Sequence, residues 1–448
     1  MIFHSMGQSL GRAHSGPPTQ RVTVIGAGSA GLAVSHELEA AGVDHVVIEQ
    51  SRVAQSWRSR WDSFTLVTPN WTMSLPGKPY RGDDPQGHVA RDEIVEYLQG
   101  YAAGLAAPIR EGIRVDALNR GTTAPFELQT SDGVLASDVV VVCTGAYQRP
   151  HRPAVAGDLP ASIMAIDATE YTNPQALPDG NVLVVGSGQT GCQLAEELFR
   201  SGRQVFLACG RAPWGPRRAG GLDLITWLAR TSFFDAPLSA LSSPAARLEA
   251  NAQATGAGGG HDLHYRTLQQ LGVQLVGHLT AITDGCFRFT DDVAQSVAYG
   301  DSRYRQMRRL LMDQLPARGY AAPILPDPPA FRNRPLLDVD VRGIGVVIFA
   351  SGFRPDYRSW ISLPAFDDIG FPVTSGGAST AVPRLYFCGA PFLRKRKSSL
   401  LFGVGEDAAV IARMIAARGR VIDTNGHAGL GPPAVDDVSD GRMEGATQ

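Results

Sequence analysis

Residues 21–31, RVTVIGAGSAG, decide the fold, because an apolar run leads directly into a G-x-G-x-x-G loop. In such a loop the first glycine allows a tight turn, the second lets a phosphate approach the backbone, and the third lets helix and strand pack closely. The N-terminus of the following helix offers free N–H groups and a positive dipole end to phosphates. The pattern predicts a strand over 21–26, a helix over 29–41 and a second strand over 45–49.

The same unit recurs at residues 181–191, NVLVVGSGQTG, and is followed by a predicted helix over 189–201 and a strand over 204–208. One such loop is a weak signal in a chain with 50 glycines. Two loops in the same strand–helix–strand context are a strong signal. The sequence therefore predicts an α/β protein with two Rossmann-like dinucleotide-binding domains.

A second, weaker repeat concerns the passage of the chain between the domains. Residues 138–145 (DVVVVCTG) and 345–352 (GVVIFASG) are apolar strands that end in Thr-Gly or Ser-Gly, and an Arg-Pro pair follows each. We therefore expect the second domain to be inserted into the first. The predicted segments are a flexible tail at 1–20, the first domain at 21–150 and 335–420, the inserted domain at 151–334 with an irregular excursion at 213–260, and a flexible tail at 421–448.

The residue that ends the second strand of each unit indicates which nucleotide binds. Glu49 stands at this place in the first unit, where a carboxylate accepts hydrogen bonds from ribose hydroxyls and repels a 2′-phosphate, so FAD or NAD fits. In the second unit the equivalent offset falls on Cys209, and Arg211, Arg217 and Arg218 follow. Because a guanidinium suits a 2′-phosphate, the sequence favours NADPH there. The alternative is that these arginines lie on an ordinary solvated loop.

Composition and charge argue against several classes of protein. A net charge of −2 gives no field that attracts nucleic acid, and no apolar run reaches the roughly 18 residues of a membrane span. The five cysteines include no C-x-x-C pair, which argues against a disulfide scaffold and a redox-active dithiol. Because no apolar signal segment precedes the first strand, we expect a cytoplasmic protein. His261 and His264 have a metal-ligand spacing but no third ligand nearby, so we expect no metal site.

The two loops, the strand exits at 143–145 and 350–352, and the GSGQTG motif at 186–191 together resemble the class B flavoprotein monooxygenases. That group includes flavin-containing monooxygenases, Baeyer–Villiger monooxygenases and N-hydroxylating enzymes. The resemblance covers about residues 21–415. It implies FAD at the first loop and NADPH at the second.

Further matches place residues beside the flavin. Residues 56–58 (SWR) and 61–64 (WDSF) are similar to the family segment that runs alongside it, and residues 68–71 (TPNW) are similar to the place of an active-site asparagine. The resemblance implies that Asn70 hydrogen-bonds the hydroperoxyflavin, and a polar, uncharged side chain can hold a peroxide without protonating it. A turn asparagine after proline is the alternative.

Near the C-terminus, residues 385–389 (LYFCG) meet a glycine and residues 402–408 (FGVGEDA) open a helix. In related flavoproteins this region closes over the isoalloxazine ring, and the positive helix end stabilises negative charge on the reduced flavin. The four cations at 394–397 (RKRK) lie between these segments. They either contact the cofactor or substrate or form a solvated face.

The predicted site residues combine the two loops with these matches. For FAD they are Gly26, Gly28, Ser29, Ala30, Gly31, Glu49, Gln50, Trp57, Arg58, Thr144, Gly145 and Gly389. For NADPH they are Gly186, Gly188, Gln189, Thr190, Gly191 and Arg211. Ser351 and Gly352 at the second strand exit complete the cofactor set, and Asn70 is the predicted catalytic residue.

One departure from the family concerns the stretch F-x-G-x-x-x-H-x-x-x-(Y/W) before the second glycine loop. Tyr171, Asn173 and Pro174 fit the family pattern, but Asp167 stands where the family has histidine. A carboxylate cannot donate a hydrogen bond as imidazole does unless it is protonated, and it adds negative charge near the nicotinamide path. The Baeyer–Villiger fingerprint is therefore not met, which favours heteroatom oxygenation over lactone formation.

The resemblance implies an FAD- and NADPH-dependent monooxygenase that uses a C4a-(hydro)peroxyflavin to oxygenate a small organic substrate at nitrogen or sulfur, with O2 as co-substrate. Two alternatives keep the cofactors: an NADPH-dependent flavin reductase or dehydrogenase without oxygen transfer, and Baeyer–Villiger oxidation of a ketone. A nucleotide-binding protein without catalysis is the third. The sequence leaves open whether the chain forms a homodimer.

Overall fold

The structure is a computed structural model that describes residues 19–145 and 147–424. Its strands, in chain order, are β1 (Thr19–Ile25), β2 (Val46–Ile48), β3 (Ile109–Arg110), β4 (Val115–Arg120), β5 (Phe126–Thr130), β6 (Gly133–Val142), β7 (Arg149–Pro150), β8 (Met164–Asp167), β9 (Asn181–Val185), β10 (Val205–Ala208), β11 (Arg218–Ala219), β12 (Leu222–Asp223), β13 (Gln274–Val276), β14 (Leu279–Thr283), β15 (Cys286–Phe289), β16 (Asp338–Asp340), β17 (Ile344–Phe349), β18 (Phe353–Arg354), β19 (Thr374–Ser375), β20 (Ala378–Ser379) and β21 (Leu385–Phe387). Its helices are α1 (Ser29–Ala40), α2 (Gln55–Arg58), α3 (Arg91–Ala102), α4 (Gln189–Arg200), α5 (Leu224–Ala229), α6 (Tyr265–Leu271), α7 (Val293–Ala317) and α8 (Val404–Thr424).

The first sheet is built around β1, which pairs in parallel with β2 and β6. Its path is β19-β20-β21-β6-β1-β2-β3, and β4 and β5 extend from β6 as antiparallel strands. The central strands consist largely of valine and isoleucine, because helices cover one face of the sheet and other chain segments the other. Helices α1 and α8 pack against each other in the hydrophobic core beside this sheet.

The second sheet has the order β13-β10-β9-β17-β8, and its strands are all parallel. Helix α4 follows β9 directly after the second glycine loop, as α1 follows β1 after the first. The predicted α/β fold with two Rossmann-like sheets is therefore confirmed. Both glycine loops lie at the carboxyl ends of their strands, which is where ligands bind in folds of this kind.

The chain passes between the two sheets through β7 and β18, which pair antiparallel with each other. The apolar strand β17 lies in the second sheet between β9 and β8, so the chain returns to the first domain at β18 and not near residue 335 as predicted. The sequence could not place this boundary, because a buried strand is apolar in either sheet. Only the hydrogen-bonded pairing of β17 shows to which sheet the strand belongs.

The excursion at 213–260 contains the β11–β12 hairpin, α5 and several short 3-10 turns. It packs against the 25-residue helix α7, which the sequence analysis did not predict. Helix α8 runs to Thr424, beyond the predicted start of the C-terminal tail at 421. The rest of the two predicted tails, 1–18 and 425–448, lies outside the described residues. In the described part of the chain, no helix combines the length and apolar character of a membrane span.

Candidate functional site

The first glycine loop has a separate steric role for each of its three glycines. Gly26 has φ +106°, and a Cβ there would lie 2.6 Å from the carbonyl oxygen of Cys143. A Cβ on Gly31 would collide with the carbonyl oxygen of Gly26, so this glycine lets α1 press against the loop. A Cβ on Gly28 would meet nothing within 4 Å. The loop therefore presents open space at Gly28, beside the N-terminus of α1, which is the arrangement that holds a pyrophosphate.

Glu49 ties the end of β2 to this loop. One carboxylate oxygen accepts a hydrogen bond from the backbone N–H of Ala27 at 2.8 Å, and the other accepts from that of Ser51 at 2.9 Å. The side chain is buried, and Gln50 beside it is exposed. A carboxylate has lone pairs beyond these two bonds, so Glu49 can also accept from ribose hydroxyls.

The segment around α2 lies against the same loop. Ala54 adopts the left-handed conformation with φ 63°, and its N–H donates to the carbonyl oxygen of Ala27 at 3.2 Å. The Arg58 Nε donates to the carbonyl oxygen of Val53 at 3.1 Å, and the ring of Trp57 faces that of Phe64. Strain at a non-glycine residue with positive φ is tolerated where the surroundings fix the backbone. The loop thus holds the predicted flavin segment in place.

The carboxyl ends of β6 and β21 bring further predicted residues to this edge. Gly389 has φ +80°, and a Cβ there would lie 2.6 Å from the Cβ of Ala30, so the chain after β21 passes directly over the first turn of α1. Thr144 is exposed and accepts a hydrogen bond from Gln148, and Gly145 faces open space. Ser29 opens α1 at the same edge.

The side chain of Asn70 is buried and braces its own turn. Its Nδ2 donates to the carbonyl oxygen of Asp84 at 2.9 Å, and its Oδ1 accepts from the N–H of Val89 at 2.7 Å. These contacts are those of a turn asparagine, the alternative to a catalytic role. The hydrogen bond to an oxygenated flavin stays a prediction.

Arg60 is a residue that the sequence analysis missed. Its guanidinium lies 5.7 Å from the ring centroids of both Phe64 and Tyr147, and burial lowers its pKa. Among the described residues its Nε has no hydrogen-bond partner although it is buried. A buried donor left unpaired suits an anionic group. No sequence signal singles it out from the 41 lysines and arginines.

The second glycine loop repeats the geometry of the first. A Cβ on Gly186 would lie 2.6 Å from the carbonyl oxygen of Ala350, and one on Gly191 would collide with the carbonyl oxygen of Gly186. A Cβ on Gly188, however, would lie 3.3 Å from the Cβ of Ala250, so this loop is covered where the first is open.

Other predicted residues surround this second loop. The Gln189 Nε2 donates to the carbonyl oxygen of Ala252 at 3.3 Å, and Thr190 lies in the first turn of α4. The Ser351 hydroxyl donates to the carbonyl oxygen of Val185 at 3.0 Å, and Gly352 is exposed.

A hydroxyl, and not a carboxylate, links the second loop to the end of β10. The N–H of Gly210 donates to the Ser187 hydroxyl at 2.8 Å, and the Tyr265 hydroxyl hydrogen-bonds Ser187 at 2.5 Å. Cys209 is buried, and burial raises the pKa of its thiol. Arg211 follows as an exposed cation, with its guanidinium 5.8 Å from the Tyr299 ring centroid. The second site therefore lacks the negative charge that Glu49 gives to the first.

Arg217 and Arg218 make hydrogen bonds to other parts of the chain than the second glycine loop. Arg217 is buried in an ion pair with Asp223, so the interpretation of it as a solvated or phosphate-binding arginine is wrong. The reason is tertiary: its guanidinium also donates to the carbonyl oxygen of Val67 at 2.9 Å, across the two domains. Arg218 is exposed and donates to the carbonyl oxygen of Gly259.

Asp167, at the place of the family histidine, ends β8 and forms an ion pair with Arg152 at 2.7 Å. This guanidinium compensates the negative charge that the sequence analysis expected near the nicotinamide path. Asn173 of the same segment donates to the Asp62 carboxylate at 2.8 Å, which joins the interdomain stretch to the flavin segment.

The four cations at 394–397 connect the excursion with the start of α8. The ion pairs are Arg394 with Asp407, Lys395 with Asp235 and Glu406, and Lys397 with the same two carboxylates. Arg396 lies over the Phe233 ring at 4.3 Å. Within the described residues, these ion pairs join the excursion to the start of α8, and the run is not a free cationic face.

His261 and His264, which have the spacing of metal ligands, make other contacts in the structure. His261 forms an ion pair with Glu196 at 2.7 Å, and this hydrogen bond raises the pKa of His261. His264 caps α6, and burial lowers its pKa to about 4.

Two sheets, each with a glycine loop of this geometry, define a protein with two dinucleotide-binding folds. The model of the family described as pyridine nucleotide-disulphide oxidoreductase matches residues 23–228, which include both loops. An uncharacterised CzcO-like oxidoreductase of Geobacillus kaustophilus is 29% identical over 391 residues, which are 86% of this chain and 95% of that protein.

Two further comparisons concern monooxygenases. The indole-3-pyruvate monooxygenase YUCCA1 of Oryza sativa is 31% identical over 183 residues, which are 40% of this chain and 45% of that protein. The structure of the ornithine N-hydroxylase of Kutzneria sp. 744, with reduced FAD, NADP+ and L-ornithine, superposes with a TM-score of 0.59 and 16% identity and covers 90% of this chain and 100% of that one. The predicted resemblance to flavin monooxygenases is confirmed. The chain therefore shares its fold with an enzyme solved with FAD and NADP+, and its sequence is similar to that of a monooxygenase over two fifths of its length.

Proposed function

We propose that this protein is an FAD- and NADPH-dependent monooxygenase that transfers one oxygen atom from O2 to nitrogen or sulfur of a small organic substrate. The observation that carries the proposal is the difference between the two glycine loops. Glu49 places a buried carboxylate at the first loop, whereas Ser187 and the exposed Arg211 stand at the second. A carboxylate repels a 2′-phosphate and a guanidinium attracts it, so FAD belongs to the first loop and NADPH to the second.

The first site fits FAD by shape and by charge. The open side of Gly28 and the N-terminus of α1 accept the pyrophosphate, and the Glu49 carboxylate accepts the ribose hydroxyls. When bound, FAD supplies the electron transfer and oxygen chemistry, and the chain supplies binding, orientation and exclusion of water.

Enclosure of the flavin side supports oxygen transfer. The excursion of the second domain covers the Asn70–Trp71 turn of the first, where the Trp71 Nε1 donates to the Thr226 hydroxyl at 3.1 Å. The Phe402 ring lies 5.4 Å from that of Trp71 and 5.1 Å from that of Phe234. We propose that this aromatic wall keeps water from the flavin side, because exclusion of water protects reactive intermediates from hydrolysis and from stray protons.

Disulfide reduction, the activity in the description of the matching family, needs a reactive thiol pair beside the flavin. Cys143 and Cys388 follow the neighbouring strands β6 and β21 and lie side by side. Both are buried, and the hydrogen bond with Cys143, together with burial, raises the pKa of the Cys388 thiol. A buried thiol with a raised pKa is a poor nucleophile. This argues for oxygenation over disulfide exchange.

Baeyer–Villiger oxidation is the less favoured reaction. Asp167 replaces the fingerprint histidine, and its carboxylate is engaged with Arg152. We therefore propose heteroatom oxygenation, in the cytoplasm, with a small molecule and O2 as the reaction partners.

Substrate-stimulated NADPH oxidation, screened over amines, thioethers and ketones, tests the proposal. With an active substrate, 18O2 is expected to leave one labelled oxygen atom in the product. Gly28→Ala, which blocks the open side of the first loop without strain, is the matched control. Unlabelled product together with stoichiometric hydrogen peroxide would instead identify a reductase or dehydrogenase.

A further inference from the structure

A segment of the excursion, residues 249–253, lies across the second glycine loop, and we call it the strap. Ala250 stands over the side of Gly188 that accepts a pyrophosphate in folds of this kind. The Gln189 side chain donates to the carbonyl oxygen of Ala252 at 3.3 Å. The equivalent side of Gly28 in the first loop is open. The strap therefore occupies part of the space that a nucleotide needs.

Gln253 anchors the end of the strap. Its N–H donates to the carbonyl oxygen of Pro213 at 2.8 Å, and its Nε2 donates to that of Ser187 at 2.9 Å. The side chain is fully buried. The strap is thus fixed at residue 253, and its other end, at Glu249, is exposed.

The exposed end of the strap is held by charge. The Glu249 carboxylate accepts a hydrogen bond from Arg303 of α7 at 2.6 Å and from the Tyr299 hydroxyl at 3.3 Å. Arg303 also donates to that hydroxyl at 3.0 Å, and the Arg211 guanidinium lies 5.8 Å from the centroid of the same ring. Two guanidinium groups therefore flank Tyr299, and a carboxylate is seated on one of them.

We propose that Glu249 holds the place of the nucleotide 2′-phosphate, and that Arg303 joins Arg211 in binding this phosphate when NADPH displaces the strap. The inference rests on the proposed function, because it concerns the NADPH site. A nucleotide whose pyrophosphate lies at Gly188 and whose 2′-phosphate lies at Arg211 must cross the strap. A phosphate monoester forms the same forked contacts with guanidinium as a carboxylate does and carries more charge, so it competes with Glu249 for Arg303.

The two partners of the ion pair have different effects on dinucleotide binding. Any dinucleotide must break the Glu249–Arg303 pair to move the strap, but only one with a 2′-phosphate regains a partner for Arg303. Glu249 therefore weakens the binding of NADP+ and the binding of NAD+ alike, whereas Arg303 sets the preference between the two dinucleotides. This pattern separates the proposal from a general electrostatic effect of either charge.

Calorimetric titration of the purified protein with NADP+ and with NAD+ tests the proposal. Glu249→Gln is expected to tighten the binding of both dinucleotides by about two- to fivefold, since a partly exposed ion pair contributes up to about 1 kcal/mol. Arg303→Gln is expected to tighten NAD+ binding but to lower the NADP+ over NAD+ preference by about tenfold, the effect of one lost charged hydrogen bond. The matched controls are Glu96→Gln on α3 and Arg309→Gln on α7, both exposed, and neither is expected to change either affinity.

A second measurement follows the strap itself. Hydrogen exchange of residues 249–252 is expected to accelerate when NADP+ binds, whereas the Gln253 amide is expected to stay protected because it keeps its bond to Pro213. Unchanged affinities in Glu249→Gln, or an unchanged preference in Arg303→Gln, overturn the inference while NADP+ binding by the wild type leaves the proposed function standing. Absence of dinucleotide binding in the wild type and in both variants overturns the NADPH site and the inference together.

Discussion

Arg217 and Asp223 form an ion pair in which both side chains are almost completely buried. The Arg217 Nε donates to the Asp223 carboxylate at 2.6 Å, and its Nη1 donates to the carbonyl oxygen of Val67 at 2.9 Å. Asp223 also caps α5 by accepting from the N–H of Ile225. One arginine therefore joins the excursion of the second domain to the flavin side of the first.

Removal of the Asp223 charge is expected to destabilise the protein by about 3 kcal/mol, because it leaves a buried guanidinium without its counter-charge. Asp223→Asn tests this while it keeps an oxygen to cap α5. Urea unfolding gives the free energy. Arg218→Gln, at the exposed neighbour, is the control and is expected to change stability by less than about 0.5 kcal/mol. An Asp223→Asn protein as stable as this control contradicts the structural role of the pair.

The sequence analysis named Arg211, Arg217 and Arg218 together as candidate phosphate ligands and placed only Arg211 in the predicted site, although spacing alone cannot show how their environments differ. Arg217 differs from the other two because its guanidinium hydrogen-bonds Asp223 and Val67, and these contacts form only in the folded chain. The glycine loops were predictable because the roles of their three glycines follow from local backbone sterics. The cover over Gly188 was not, since Ala250 reaches the loop from a distant part of the chain that has no periodic pattern. Helix α7, which brings Arg303 to the site, was missed for another reason: its buried residues recur at helical spacing, but Ser296, Gly300 and Asp301 interrupt the apolar stripe.

Two alanine substitutions in the first loop are expected to have opposite consequences. Gly28→Ala adds a methyl group to open space, so the protein is expected to fold normally and to lose bound flavin. Gly31→Ala drives the methyl group into the carbonyl oxygen of Gly26, so it is expected to unfold or to lose more than about 2 kcal/mol of stability. Flavin absorbance after purification and thermal unfolding distinguish the two. Full flavin content in Gly28→Ala would show that this loop does not hold the pyrophosphate.

Glu49→Gln is expected to weaken FAD binding by about tenfold or more, because a hydrogen bond to a charged acceptor contributes about 1.5–3 kcal/mol. The substitution keeps an oxygen that can accept from Ala27, so the loop is expected to stay folded. Fluorescence titration of the apoprotein with FAD gives the affinity. Glu96→Gln, on the exposed face of α3, serves as the control. Equal affinities in the two variants argue against a ribose contact at Glu49.

The His261–Glu196 ion pair is expected to make stability depend on pH in a defined window. The hydrogen bond from Glu196 raises the pKa of His261 above 6.5, so its contribution is complete below that pH and is lost as the pH rises through the folded-state pKa. Burial alone raises the pKa of Glu196, but His261 and Arg200 hold it below 4.5, so its contribution is lost as the pH falls through that lower value. The pair therefore stabilises the fold most between about pH 4.5 and 6.5.

His261→Gln removes this contribution, which is about 1 kcal/mol or less because the imidazole is partly exposed. Urea unfolding of both proteins at pH 5.5 and pH 9 measures it as a difference, in which groups common to both proteins, such as His264, cancel. The wild type is expected to exceed the variant at pH 5.5 and to match it more closely at pH 9, where the imidazole is neutral in both the folded and the unfolded chain. A difference that is equal at the two values, or larger at pH 9, means that His261 contributes by packing and not by its charge.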